Sequence, residues 1–145
     1  MVEAAETVDV GTFFDGRAEM YDRGYDTLGW GGYVLRTRMQ ATLELVGRGP
    51  GEALDAGMGP GRLCEQLALR DWTVSGVDIS DGMVIQARRR LPEAAERLRQ
   101  GTIDQLPFAD GSFDRAVATG VLEYAESVPA ACESWPASCA PEAGW

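Results

Sequence analysis

The stretch LDAGMGPG at residues 54–61 decides the fold of this 145-residue chain. Residues 53–56, Ala-Leu-Asp-Ala, are predicted to form a short buried strand, and a helical pattern begins at Arg62. The three glycines between them, at alternate positions, let the backbone turn sharply and let a ligand approach without meeting a Cβ atom. A tight turn without a ligand is the alternative interpretation, and the residues around the loop distinguish between the two.

Strands and helices alternate on the C-terminal side of the loop. The pattern predicts helices over 62–70 and 81–91, the second capped by Ser80, and strands over 73–79, near 97–101 and over 113–121. Alternation at this spacing is typical of right-handed βαβ units. We therefore predict an α/β fold built on a parallel sheet.

The segment before the loop is less regular. Aromatic residues concentrate there, and the pattern predicts one helix over 34–46 that ends at Gly47. Further along, the three arginines at 88–90 are interpreted as a solvated helix end, and Phe108 and Phe113 as packing residues.

Charge and residue types exclude several classes of function. Asp and Glu number 23 against 13 Lys and Arg, and the net charge of −10 repels phosphate backbones and anionic lipid. We therefore predict a small-molecule partner, no nucleic acid and no membrane.

The chain has no histidine, so no Ser-His or Cys-His pair and no imidazole ligand is available, and no metal is predicted. Cys64, Cys132 and Cys139 leave one thiol over from any single disulfide, which favours a cytoplasmic protein.

Two aspartates and an arginine indicate which cofactor the loop would accept. Asp78 closes the second predicted strand 17 residues after Gly61, near the spacing at which an acid meets a ribose in dinucleotide folds. Arg62 stands where those folds need a third glycine, and Asp55 would direct a carboxylate into the crevice, where it opposes a pyrophosphate. S-adenosylmethionine suits this arrangement, since it has an ammonium, a sulfonium and a ribose but no phosphate. A helix-cap or loop-ordering role for Asp55 stays open, as does an NAD(P)-dependent oxidoreductase.

Taken in order, these motifs resemble those of class I S-adenosylmethionine-dependent methyltransferases, in the small-molecule group related to the ubiquinone and menaquinone enzymes. Residues 55–61 are similar to motif I, and 77–83 to the acidic strand-2 motif and its following turn. Residues 101–108 and 111–114 resemble the adenine-side loop and strand 4, and 14–22 the N-terminal lid helix. The resemblance implies cofactor contacts at Tyr21, Asp55, Gly57, Met58, Gly59, Gly61, Asp78, Ile79, Met83, Thr102, Ile103, Asp104 and Thr119.

The resemblance implies a Rossmann-like doubly wound parallel sheet with strand order 3-2-1-4 whose later strands are missing. The order would reverse between strands 1 and 4, where the loop and Thr119 would flank a ligand crevice. The resemblance also implies a methyltransferase that acts on a small organic molecule, with no catalytic residue assigned. It divides the chain into an N-terminal lid and helix at 1–50, a cofactor-binding Rossmann-like core at 51–126 and an aberrant tail at 127–145. One position departs from the family. Thr102 stands where an acid usually accepts from the adenine amino group, and Asp104 is the residue that could take over.

The tail has no helical face, and from Ala131 onward it has two prolines and two of the three cysteines. Back-translated with GC-rich codons and read in a shifted frame, this segment encodes the helix and Pro-Gly-Gly turn that related enzymes carry here. We therefore expect a frame-shifted, prematurely ended chain, either an impaired enzyme or an inactive cofactor-binding remnant. Its fourth strand would be an exposed edge open to self-association. A genuine variable tail or a linker to another domain is the alternative.

Overall fold

The computed structural model describes residues 9–109 and 111–119. Within these ranges a parallel sheet of four strands is flanked by helices. The helices are α1 (Val10–Asp15), α2 (Ala18–Gly24), α3 (Trp30–Val46), α4 (Arg62–Ala68) and α5 (Asp81–Arg90), with a 3₁₀ helix over Pro92–Arg97. The strands are β1 (Glu52–Ala56), β2 (Thr73–Asp78), β3 (Leu98–Gln100) and β4 (Arg115–Val117).

The sheet has the strand order β3-β2-β1-β4, and all its pairings are parallel, which confirms the predicted fold class. β1 is central: its residues 53–55 pair with 74–76 of β2 on one side and with 115–117 of β4 on the other. The chain order reverses between β1 and β4. In doubly wound sheets ligands bind at the carboxyl ends of the strands beside such a reversal, so the crevice is expected beyond the C-terminal end of β1.

Apolar side chains cover both faces of the sheet, as a parallel sheet requires. On one face Val74 of β2 packs in the same cluster as Leu67 of α4. On the other face Leu54 packs with Phe113, whose ring meets that of Phe108 edge to face at 5.3 Å between centroids. The prediction that both phenylalanines are packing residues is confirmed.

The N-terminal segment has two short helices where the resemblance implied one lid helix over 14–22. α1 and α2 have 6 and 7 residues, too few for periodicity to reveal, and α1 is capped by Asp9, which accepts a hydrogen bond from the Thr12 amide at 3.1 Å. α3 begins at Trp30, four residues before the predicted start at 34. The prediction missed this first turn because it contains two glycines, which have a low helix propensity. At Gly32 a side chain would overlap the Thr27 carbonyl oxygen, so this glycine lets α3 pack against the preceding turn.

The later elements lie where the sequence predicts them, with most ends differing by one or two residues. β4 covers only Arg115–Val117 of the predicted 113–121, of which 120–121 lie outside the described part. The predicted tail at 127–145 also lies outside it, so the division into three segments stays a prediction. No helix in the described ranges is both long and apolar enough to span a membrane.

Candidate cofactor-binding site

The glycine loop connects β1 to α4 at the carboxyl edge of the sheet. All three loop glycines have φ between 54° and 83°, the left-handed region that favours glycine. The amides of Gly57 and Met58 both donate to the Val77 carbonyl oxygen, at 2.8 and 2.9 Å, and so attach the loop to β2. Among the described residues, a Cβ atom added at Gly59 would meet only the Tyr21 ring, at 3.9 Å. The backbone at Gly59 is therefore open to a ligand that lies between the loop and the N-terminal helices.

Asp78 ends β2 beside this loop. One carboxylate oxygen, Oδ2, accepts a hydrogen bond from the Gly59 amide, and Oδ1 accepts one from the Ser80 amide, both at 2.9 Å. Burial raises the pKa of the Asp78 carboxyl, against the lowering effect of these two amides. Each carboxylate oxygen has a second lone pair, so Asp78 can also accept hydrogen bonds from ligand hydroxyls.

The Asp55 carboxylate is buried in the central strand with too few partners. The residue is 1% exposed, and Oδ2 accepts a bond from the Cys64 thiol at 3.5 Å. Within the described residues Oδ1 has no hydrogen-bond partner. Burial raises the pKa of Asp55 to about 7, Cys64 lowers it, and the charge of Asp78 raises it further. A buried polar atom without a hydrogen bond lowers the stability of the fold. A ligand that donates a hydrogen bond to Asp55 Oδ1 would remove this cost.

This geometry favours one of the roles that the sequence left open for Asp55. Among the described residues α4 begins without a side-chain cap, and Asp55 accepts no hydrogen bond from the loop, so it neither caps a helix nor orders the turn. An ammonium group at Oδ1 would supply both the missing hydrogen bond and the opposite charge. The residues therefore fit a cofactor with a cationic end, next to a carboxylate at Asp78 that fits a ribose.

The predicted adenine-side residues follow β2 and β3 on the same edge of the sheet. Ile79 is 38% exposed directly after β2, whereas Ile103 is buried and packs in one cluster with Val77. Thr102, where the family has an acid, is exposed, and Asp104 is half-buried. Asp104 is thus the more shielded of the two candidates for the adenine amino group.

Three other predicted contacts lie at different depths. The Met58 sulfur occupies the space beside Gly76 in the core, so only the Met58 backbone is available to line the loop. Met83 on α5 is also buried, at 2% exposed. Thr119 is half-buried two residues beyond β4, across β1 from Asp78.

The N-terminal helices α1 and α2, hereafter the lid, contact this edge of the sheet. Asp15 Oδ1 accepts hydrogen bonds from the Ser80 hydroxyl at 2.7 Å and from the Gly82 amide at 3.1 Å. Tyr21 is half-buried, and its ring lies edge to face with that of Phe14 at 6.2 Å. The structure therefore brings the predicted lid residue Tyr21 to the glycine loop.

Sequence reasoning missed an ion-pair cluster under the lid. Arg62 Nε donates to Asp22 Oδ1 at 2.6 Å, and Arg90 donates to both Asp22 oxygens at 2.7 Å. The interpretation of 88–90 as a solvated helix end is therefore wrong for Arg90, because α2 covers it. These partners lie 40 and 68 positions apart, beyond any local pattern. The available signal was a like-charged pair four residues apart, Asp22 and Asp26, which favours a cation between them.

Comparison with known proteins places these features in one family. Residues 54–142 match the model of the family described as methyltransferase domain. A demethylmenaquinone methyltransferase of Beutenbergia cavernae is 41% identical over 107 residues, 73% of this chain and 43% of the relative. A malonyl-[acyl-carrier protein] O-methyltransferase of Erwinia pyrifoliae is 36% identical over 85 residues, 57% of this chain and 32% of the relative. A SAM-dependent methyltransferase structure from Thermotoga maritima has the same fold, with a TM-score of 0.65 at 23% identity over 88% of this chain and 56% of that one. The chain thus spans less than half the length of these two curated relatives.

Proposed function

The chain belongs to the class I S-adenosylmethionine-dependent methyltransferases, and from this membership we propose that it binds S-adenosylmethionine and transfers the methyl group to a small organic molecule. The observation that carries the proposal is the buried Asp55 carboxylate with an unpartnered oxygen, beside an open glycine loop and Asp78. The oxidoreductase alternative is not retained. Asp55 would repel a pyrophosphate, and Arg62 is paired with Asp22 and Asp26 of the N-terminal segment.

Each proposed contact matches one part of the cofactor. Asp55 binds the ammonium group, Asp78 accepts from the ribose hydroxyls, and the backbone of residues 57–61 leaves room for the chain between them. Ile79 and Ile103 provide apolar contacts for the adenine. The other proposed contacts come from Tyr21, Met83, Thr102, Asp104 and Thr119.

When bound, the cofactor supplies a methyl group on a positively charged sulfur, which a nucleophile on the acceptor attacks in line. The chain's own residues position the reactants and exclude water, and these two effects can supply much of the barrier reduction. In this proposal the Phe14 and Tyr21 rings of the lid shield the loop from water. No residue is assigned as a general base, and the chain has no histidine.

We further propose that the acceptor is a small organic molecule rather than nucleic acid or lipid. One relative is named for demethylmenaquinone and another for malonyl-[acyl-carrier protein], and the net charge of −10 opposes binding to phosphate backbones. The uneven number of cysteines supports a cytoplasmic location. The edge of β4 that faces away from β1 is the proposed place for self-association.

Isothermal titration with a matched ligand pair tests the proposed site. The wild-type chain should bind S-adenosylhomocysteine about 10- to 100-fold more tightly than its analogue without the amino group, and should not bind NAD or NADP. Asp55→Asn should lose most of this preference, because the amide carries no charge to attract the ammonium. Asp71→Asn, the same change at an exposed surface ion pair, is the control and should keep the preference. Tight NAD binding without a response to S-adenosylhomocysteine would refute the proposal.

A further inference from the structure

Five charged side chains connect the N-terminal segment to the glycine loop, and we call them the lid network: Asp22, Asp26, Arg62, Glu65 and Arg90. Arg62 donates to Asp22 at 2.6 Å and to Asp26 at 2.7 Å. Arg90 donates to both oxygens of Asp22 at 2.7 Å and to Glu65 at 3.4 Å. Asp22 is therefore the carboxylate that both guanidinium groups share.

Both arginines are attached to the backbone of the loop. Arg62 is the first residue of α4 and follows Gly61 directly. Arg90 is the last residue of α5, and its Nε donates to the Pro60 carbonyl oxygen at 3.2 Å. Arg62 also donates to the backbone oxygen of Asp22 at 3.1 Å. The network thus links α2 to the loop at two points, one through each arginine.

Tyr21 precedes Asp22 in α2 and lies beside the same loop. Apart from the chain neighbours of Gly59, its Cε1 is the nearest described atom to the space that a Cβ atom of Gly59 would occupy, at 3.9 Å. Where the Tyr21 ring lies depends on where α2 lies. The carboxylate of the adjacent residue, Asp22, links α2 to the loop through the two arginines.

The centre of the network is shielded from water. The side chains of Asp22, Arg62 and Arg90 are 20%, 20% and 21% exposed, whereas those of the surface pair Arg48 and Asp71 are 68% and 69% exposed. Exposed pairs contribute little, whereas a shielded pair is screened less by water and salt. Without the Asp22 charge, Arg62 would keep Asp26 and Arg90 would keep Glu65, but the two guanidinium groups would lose the carboxylate that they share.

We propose that Asp22 is a positioning residue for cofactor binding: paired with Arg62 and Arg90, it holds Tyr21 against the glycine loop. This inference rests on the proposed function, because it concerns the same crevice. A salt bridge that only anchored a helix would stabilise the fold without acting through Tyr21. The two roles therefore differ in whether the effects of Asp22 and Tyr21 on ligand affinity are coupled.

A double-mutant cycle separates these roles. The Kd for S-adenosylhomocysteine is measured by titration for the wild type, Asp22→Asn, Tyr21→Ala and the double variant. Each single variant should weaken binding by about 5- to 30-fold. The double variant should bind no more weakly than the single variant with the larger loss, because both substitutions remove the same contact. Asp71→Asn is the matched control and should change the Kd by less than about 2-fold. Losses that multiply in the double variant, or an unchanged Kd in Asp22→Asn, overturn the proposal.

Arg90→Gln provides a second cycle that does not depend on the folding of Asp22→Asn, because it leaves the Asp22 and Arg62 pair in place. It should weaken binding by about 3- to 10-fold in the wild-type background and by less than about 2-fold in the Tyr21→Ala background. Equal losses in both backgrounds overturn the proposal. If the wild type itself fails to bind S-adenosylhomocysteine, the proposed function fails as well, whereas wild-type binding with uncoupled losses rejects only the role of Asp22.

Discussion

At the scale of single residues, the burial of the Asp55 carboxylate lowers the stability of the fold, although the same burial prepares it to bind a cationic group. Burial raises its pKa from the ordinary 3.8 to about 7. Between about pH 4 and pH 7 the folded chain therefore keeps a proton on Asp55 that the unfolded chain has released. The contribution of this group to stability falls as the pH rises through that window and is lowest above it.

Asp55→Asn should consequently raise the free energy of unfolding at pH 8, by at most about 4 kcal/mol, and change it little near pH 4. The amide keeps the shape of the side chain and carries no charge to desolvate. Urea denaturation at the two pH values measures the difference. Asp71→Asn at the surface is the control and should alter stability at neither pH. An Asp55→Asn chain no more stable than the wild type at pH 8 would show that burial of this carboxylate is not costly.

At the scale of elements, the N-terminus of α5 joins the lid to the sheet. Ser80 caps the helix by accepting a hydrogen bond from the Met83 amide at 3.2 Å, and its hydroxyl donates to Asp15 at 2.7 Å. The bonds from Ser80 and then from the Gly82 amide hold the pKa of Asp15 below its usual range. A Cβ atom at Gly82 would lie 2.6 Å from the Asp15 carbonyl oxygen, so glycine permits this close contact between α1 and α5.

Ser80→Ala should lower the free energy of unfolding by about 1–2 kcal/mol, because it removes a helix cap. It should also raise the pKa of Asp15, which carboxyl NMR can follow. Since that pKa is lowered in the folded state, the stabilisation from Asp15 is complete above its unfolded pKa and is lost as the pH falls through the folded value. Ser112→Ala, at an exposed serine, is the control and should stay within about 0.5 kcal/mol. Equal destabilisation in the two variants would contradict the capping role.

At the scale of the whole molecule, the proposed cofactor site combines strand ends, the glycine loop and the lid. A ligand that contacts all three stabilises the complete fold by mass action, by about 2.7 kcal/mol at a concentration 100 times its Kd. S-adenosylhomocysteine should therefore raise the melting temperature of the chain in a concentration-dependent way.

Asp78→Ala should abolish most of this thermal shift at a ligand concentration that saturates the wild type. Loss of its charge-assisted hydrogen bonds to the ribose should cost about 1.5–3 kcal/mol of affinity, roughly ten- to a hundredfold. Asp104→Ala, at another proposed contact, should cost less, because Asp104 would accept from the adenine amino group alone whereas Asp78 would accept from the ribose hydroxyls. Equal losses in both variants would mean that Asp104 has replaced the acid that is absent at Thr102.

The sequence by itself determined the order of the strands, the glycine loop and the two aspartates of the crevice. Those signals are local, since the three glycines and the 17-residue spacing from Gly61 to Asp78 lie within one βαβ unit. A crossover between parallel strands has one strongly favoured hand, so alternation along the chain predicted a parallel sheet, and the resemblance to the family supplied the strand order.

Only the tertiary structure decided how the lid lies on the site and what environment Asp55 meets. Asp15 is 65 positions from Ser80, and Asp22 is 68 from Arg90, so these pairs depend on which surfaces come together in the folded chain. Spacing predicted an acid at the crevice, but complete burial in the central strand raises the pKa of Asp55 to about 7. The energy of a charge is set by the solvent and the groups around it, and folding brings those groups from distant parts of the chain.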